Sequence, residues 1–242
     1  MSDHLSSPTH VTLAVVLQVR TQVGGSAPRG TGGDSLCALL WQRGREPFRG
    51  AWSLPGGYLE PGHALERSIR TQLARKVDVA ELSSLEQLET VGEPDRHPDE
   101  WQLATAYLGL IPRGLDPALP EDTAWHPVDD LPGEMAFDHG PIVLAGRERL
   151  RAKLSYTNIG FALAPESFTM SELSSIYTAA LGYPVDPTNL RRVLERRGLL
   201  ESTGERRFPG RGGGRPGAVY RFGSHELAVT DPFAVLRPPT SG

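Results

Sequence analysis

The sequence predicts an α+β chain in two parts, and three observations carry that prediction. Up to residue 155, apolar runs of strand length are interleaved with a periodic helical pattern. From residue 156 the grammar changes to two capped helices followed by a basic, Gly-rich hairpin. Charge follows the same division. Residues 1–155 carry 15 basic and 21 acidic side chains, a net −6, whereas 156–242 carry 10 and 8, a net +2. An acidic front and a basic back imply different partners for the two parts.

In chain order, His10–Val19 and Asp34–Gln42 are β-type apolar runs. The intervening VGGSAPRGTGG reads as a loop, and it lacks the GK[ST] or GxGxxG spacing of a phosphate cradle. Over His63–Val77, apolar Leu65, Ile69 and Leu73 recur at i, i+4, which predicts a helix with one buried stripe. Leu85–Val91, Glu100–Ile111 and Thr123–Val128 are further strand candidates, and His139–Leu154 is a helix with Pro141 in its first turn. In the back half, Thr169 and Glu172 form a capping box ahead of Leu173, Ile176, Tyr177 and Leu181, with Gly182 as the stop. Asp186 as N-cap, Pro187 in the first helical position and Gly198 as terminator define a second helix. Two short helices joined by a tight turn are a helix-turn-helix pattern. ESTGERRFPGRGGGRPGAVYRF adds two strands around a basic loop, so the order is that of a winged helix. The tail PFAVLRPPTSG is expected to be loosely held.

Composition narrows the function classes. A hydrophobic content of 38% in 242 residues is enough for ordinary cores. The early run VTLAVVL is too short to span a membrane and has no basic leader or cleavage site, so a cytoplasmic protein is expected. Cys37 is the only cysteine, which excludes an internal disulfide and a cysteine zinc cage. The overall charge of −4 does not announce a nucleic-acid binder, yet residues 186–222 hold nine Arg against four acids.

Geometry then singles out residues. In the second back-half helix, Leu190, Val193 and Leu194 make the buried stripe. At about 100° per residue the opposite face carries Thr188, Arg192, Glu195 and Arg196, flanked by Asn189 and Arg191. A recognition helix presents its N-terminal residues to base edges, so Thr188, Asn189 and Arg192 are the base-contact candidates. Arg206, Arg207, Arg211 and Arg215 of the hairpin would bind phosphates or enter a minor groove. Taken alone, the helix is equally readable as amphipathic with a solvated charged face.

GYLEPGHALERSIRTQLARKVDV, Gly57–Val79, resembles the Nudix box, G-x5-E-x7-R-E-U-x-E-E-x-G-U with U aliphatic. Gly57, Leu73 and Val79 fit. His63 stands at the first Glu, Thr71 and Gln72 at the Arg-Glu pair, Arg75 and Lys76 at the Glu-Glu pair, and Asp78 at the late Gly. The resemblance implies a Nudix-like α/β/α sandwich with a mixed sheet over 10–155. The departures remove its catalytic chemistry. Magnesium needs hard anionic oxygens, and a divalent ion about 4 Å from a cation is repelled by several kcal/mol even at a dielectric of about 20. Without it there is no Lewis acid and no activated water. No catalytic residue, metal or cofactor is therefore expected. Arg75 and Lys76 are either solvated remnants or cations that neutralise a bound diphosphate directly. Arg43, with Arg45 and Arg49 around Phe48, is a candidate for reaching phosphate, and Trp52 either stacks on an adenine or fills the core.

With a winged helix over 156–230 ending in RPGAVYRF, the chain resembles the Nudix-related transcriptional regulator family, NrtR. That resemblance implies a homodimer on a palindromic operator in double-stranded DNA and repression of NAD biosynthesis or salvage genes. It also implies ADP-ribose or a related nucleotide as effector in the former active-site cleft, with Arg43, Trp52, Gly57, Arg75 and Lys76 as candidate contacts. Two other readings stay open. One is a Nudix-type pyrophosphohydrolase with metal ligands relocated to Glu60, Glu66 or Asp78 and an attached helical interaction domain. The other is a constitutive repressor whose front domain only dimerises.

Overall fold

The computed structural model describes residues 8–21, 33–79, 81–208 and 216–231. They gather into two compact units. The first comprises the chain up to Gln18, Cys37–Ile111 and Leu115–Arg147; the second comprises Val19–Leu36, Pro112–Gly114 and the chain from Glu148.

The main sheet is built from β1 (Thr9–Thr21), β2 (Asp34–Gln42), β3 (Trp52–Ser53), β4 (Gly56–Tyr58), β5 (Ser84–Val91), β6 (Gln102–Leu110) and β7 (Thr123–Pro127). Its order is β3-β2-β1-β6-β5, with β4 pairing on β1 and β7 on β2. β1 and β6 run parallel while β5 is antiparallel to β6, so the sheet is mixed. β1 is buried without interruption from Val11 to Val19, as a strand covered on both faces must be. Its alternation shows what covers it. Ala14 and Val16 share a core with Leu39, Tyr107 and the Ile69, Leu73 and Val77 stripe of α1 (Leu65–Val77). Val15 points the other way. There Gly146 of α2 (His139–Tyr156) approaches so closely that a Cβ on it would stand 2.7 Å from a Val15 methyl. Helices on both faces make this unit the α/β/α sandwich.

Two strands had no periodic signature. β3 and β4 span two and three residues, and tertiary pairing alone forms them. Gly56 sits opposite Leu13, where a Cβ would lie 2.1 Å from the Thr12 carbonyl oxygen, so only glycine allows β4 onto β1. α1 starts at Leu65, two residues later than the sequence expectation, because Ala64 offers no side-chain cap. It ends on Asp78 in the left-handed region, with φ 53° and its N–H on the Leu73 carbonyl.

In the second unit, β8 (Phe168–Thr169), β9 (Leu200–Arg207) and β10 (Gly217–Phe222) form a sheet of order β8-β10-β9 beside α3 (Met170–Leu181) and α4 (Pro187–Arg196). Both bonds of the Thr169–Glu172 capping box are made, and the Asp186 carboxylate accepts the Asn189 N–H at 2.7 Å. Leu173, Ile176, Tyr177, Leu190, Leu194, Phe168 and Phe222 are buried as the unit's core. A segment beyond the hairpin returns to it: the Ala228 N–H donates to Asn158 Oδ1 at 2.8 Å, and Val229 bridges Thr157. The glycine-rich loop, apart from Gly33, and the tail from Pro232 lie outside the described residues.

Candidate functional sites: a cationic cleft and a recognition helix

A cleft of about 230 Å³ opens in the first unit between β4, the last turn of α1, the 43–47 loop and residues 137–139. Lys76 enters it from α1. Its ammonium donates to the Gly56 carbonyl and lies 5.0 Å over the Trp41 ring. Burial, and then the charges of Arg45 and Arg43, push the Lys76 pKa down. Arg43 is positioned by its Nε bond to the Pro47 carbonyl at 2.8 Å, with its guanidinium 4.7 Å over Phe137. Burial first and Arg45 second lower its pKa too. Among the described residues, no carboxylate forms an ion pair with Arg43, Arg45 or Lys76. Glu46 also lines the cleft and acts on Arg43 from a distance, so the three cations outnumber the one carboxylate of the lining and leave an excess of positive charge on a concave surface.

The two residues at the box's Glu-Glu position part company. Lys76 faces the cleft, whereas Arg75 is exposed and binds Glu60 at 2.8 Å, outside the cleft lining. Gly57 lines the cleft at the point where a Cβ would stand 2.8 Å from the Gln72 amide oxygen. Trp52 does not line it. That ring packs edge-on against His126, with centroids 4.3 Å apart, and forms a wall of a neighbouring cavity.

Several cleft residues escaped the sequence reading. Buried Arg96 holds Asp138 through two bonds, at 3.1 and 2.7 Å, and donates to Gln102 at 2.8 Å. Gln102 donates to Glu100, which also accepts the Tyr58 hydroxyl at 2.8 Å. This chain fixes Phe137, which stands in the left-handed region at φ 53° and stacks on His97. His139 is fully buried and accepts the Leu54 N–H on Nδ1 at 3.0 Å; burial drives its pKa to about 3, so it is neutral. The partners come from segments about 40 residues apart, a separation that periodicity does not register. The available signal was the run Phe137, Asp138, His139 just ahead of a helix.

In the second unit, Thr188, Asn189, Arg191, Arg192 and Arg196 are all exposed on α4. Arg192 donates to the Asn189 side-chain oxygen at 2.8 Å, which places the two side by side. Arg191 instead turns to Glu195 at 2.8 Å and lies 5.4 Å over the Tyr220 ring. On β9, Arg206 is exposed, while Arg207 folds back onto Glu172 at 3.0 Å and Ser167 at 2.9 Å, closing the base of the hairpin on the start of α3. Arg211 and Arg215 lie outside the described residues.

Known proteins carry the same two halves. Residues 160–222 match the NrtR DNA-binding winged helix domain and residues 23–145 the NUDIX domain. The ADPR responsive transcriptional repressor NtrR of Acinetobacter baylyi is 30% identical over 209 residues, covering 84% of this chain and 82% of that protein. The chain belongs to the NrtR family. A crystal structure of Shewanella oneidensis NrtR complexed with a 27mer DNA matches with a TM-score of 0.73 and 32% identity. It covers 88% of this chain and 92% of the NrtR chain. An ADP-ribose pyrophosphatase of Methanocaldococcus jannaschii is 27% identical over 111 residues, 43% of this chain and 62% of that enzyme. The NrtR winged helix match contains α3, α4 and the hairpin, and the NUDIX match contains the lining of the cationic cleft apart from Val11 and Leu13 of β1. No helix among the described residues is long and apolar enough to cross a membrane.

Proposed function

We propose that this NrtR-family chain is a cytoplasmic, ligand-responsive transcriptional repressor of NAD biosynthesis or salvage genes. As a homodimer it holds a palindromic operator through α4 and the wing, and ADP-ribose or a related nucleotide bound in the cleft releases it. One observation carries the effector half. Lys76, at a position where the Nudix pattern has a glutamate, is turned into the cleft beside Arg43 and Arg45, three cations against the single carboxylate, Glu46, of the lining. A diphosphate finds there the positive charge that magnesium would otherwise bring. The same cation repels a divalent ion, so hydrolysis by the Nudix route is absent. The effector named for the Acinetobacter relative supports ADP-ribose, and the Shewanella complex supports DNA as the second partner.

On the DNA side, Thr188, Asn189 and Arg192 read bases, while Arg196, Arg206 and the hairpin arginines Arg211 and Arg215 bind phosphates. Arg191 and Arg207 orient the helix and the hairpin through Glu195 and Glu172.

Fluorescence anisotropy on labelled DNA from upstream of this protein's gene and its neighbours tests the reading at fixed, near-physiological salt. Specific binding that ADP-ribose weakens is expected. Binding no tighter than to random DNA overturns the repressor, and magnesium-dependent phosphate release proportional to protein would put the hydrolase in its place.

A further inference from the structure

We propose that Asn189 and Arg192 act as one unit that presents only hydrogen-bond donors to the major groove. Each half-site then carries a guanine beside a second guanine or a thymine, and not beside an adenine. This rests on the reading of α4 as the recognition helix.

The bond between the two side chains carries the argument. Arg192 Nη2 donates to Asn189 Oδ1 at 2.8 Å, and both residues are exposed. A guanidinium donates and never accepts, so the amide must turn its oxygen toward Arg192 and its NH2 group away. Bidentate recognition of adenine needs both ends of an amide, the oxygen for the N6 amine and the NH2 for N7. Here the oxygen is taken. Among the described residues, Asn189 Nδ2 makes no hydrogen bond, and the rest of the Arg192 fork is unengaged.

Position brings the pair to the bases. The Asp186 carboxylate accepts the Asn189 backbone N–H at 2.7 Å, which fixes Asn189 in the first turn of α4. That end of a recognition helix lies nearest the base edges. Residues three apart on a helix have Cβ atoms about 5–6 Å apart, against about 3.4 Å per base step, so the two side chains meet neighbouring base pairs. Their bond has a charged donor and strengthens as the interface excludes water. Freeing the amide to read adenine would leave Arg192 in search of another acceptor.

The other acceptor of the face is placed elsewhere. Glu195 accepts from Arg191 Nε at 2.8 Å and lies in the last turn of α4, away from the end where a cytosine amine could be read. The Thr188 hydroxyl both donates and accepts, and so discriminates little. What remains is an edge of donors. Guanine offers N7 and O6 as acceptors and thymine offers O4, whereas adenine N6 and cytosine N4 are donors and would face donors. Arg192 takes the guanine, and the Asn189 NH2 takes the acceptor of the adjacent base.

Selection by the full chain from duplexes with a randomised core gives the operator, and anisotropy competition then scores single changes in it. Asn189→Ala and Arg192→Ala identify the position that each residue reads, and thermal midpoints matching the parent show that both variants are folded. In the unaltered protein, 7-deazaguanine at the Arg192 position, which lacks the N7 acceptor, is expected to weaken binding about tenfold. Adenine at the Asn189 position is expected to cost about the same. Arg192→Ala releases the amide oxygen, so adenine becomes the preferred base at the Asn189 position, a reversal that loss of a contact alone does not produce. Ratios are taken at low salt, where phosphate contacts keep the variant bound. Three results overturn the donor pair and leave the repressor standing. They are adenine or cytosine preferred by the unaltered protein at the Asn189 position, no turn to adenine in Arg192→Ala, and an Asn189→Ala variant with the parent's preferences throughout. If no sequence is selected above random DNA, the repressor reading itself falls, and the donor pair with it.

Discussion

Lys76 is a cation where the Nudix pattern has a glutamate, and its environment makes that charge dependent on pH. Burial disfavours the ammonium, so the folded protein gives up this proton at lower pH than the unfolded chain, whose lysine has the ordinary value of 10.5. Between the depressed value and 10.5 the unfolded state holds more protons, and stability contributed by this residue rises with pH. Ligand binding runs the opposite way, because a diphosphate favours the ammonium. ADP-ribose affinity should therefore decline with rising pH before the ordinary lysine range is reached. Lys76→Arg should retain binding and abolish that decline, since a guanidinium stays protonated. A titration series from pH 7 to 10 (about three units, within which lysines and not arginines discharge) checks both outcomes. His139 supplies the acid limb. Its pKa falls from 6.5 to about 3 on folding, so its contribution is complete above 6.5 and is lost as pH falls toward 3. Urea midpoints of His139→Gln should vary less over that window, by up to about 1.4 kcal/mol per pH unit.

At the scale of elements, the proposed function divides reading from holding between α4 and the hairpin. Asn189→Ala or Arg192→Ala should relax base preference at single operator positions, at about 1–3 kcal/mol each. Arg206→Ala should weaken all sequences alike and reduce the salt slope by about one. Competition with operators altered one base pair at a time separates the two effects. Arg207→Ala is expected to act on stability, by about 1 kcal/mol or less for a half-exposed ion pair, and its thermal midpoint should move more than its DNA affinity. Removing the Asp186 N-cap should cost about 1 kcal/mol. In the first unit Gly56→Ala is the severe change, because the added methyl would meet the Thr12 carbonyl and Leu13 backbone and displace β4 from β1. Since Lys76 is bonded to the Gly56 carbonyl, loss of ADP-ribose binding should accompany the loss of stability.

For the whole molecule, release by a ligand requires the ligand to bind the DNA-free state more tightly. Reciprocity follows: saturating operator DNA must weaken ADP-ribose by the same factor by which ADP-ribose weakens DNA. Measuring both factors at one salt concentration tests the coupling, and unequal factors would exclude a simple two-state repressor.

The sequence by itself determined what is local. The α1 stripe, the Thr169–Glu172 box, the Asp186 cap and the exposed face of α4 each lie within one or two helical turns, where spacing maps onto geometry. It also marked Lys76 as a cation where the pattern has a carboxylate. Tertiary structure alone decided which cations face one another. Arg75 and Lys76 are adjacent in the chain and point to different surroundings, because neighbours on a helix are about 100° apart. Arg43, Lys76 and the Arg96–Asp138 pair come from distant segments, and Trp52 lines a different cavity from the one the resemblance suggested. A periodic pattern reports the face a residue takes on its own element. Which elements meet there is settled by burial and by close approaches such as Gly56 on Thr12 and Gly146 on Val15.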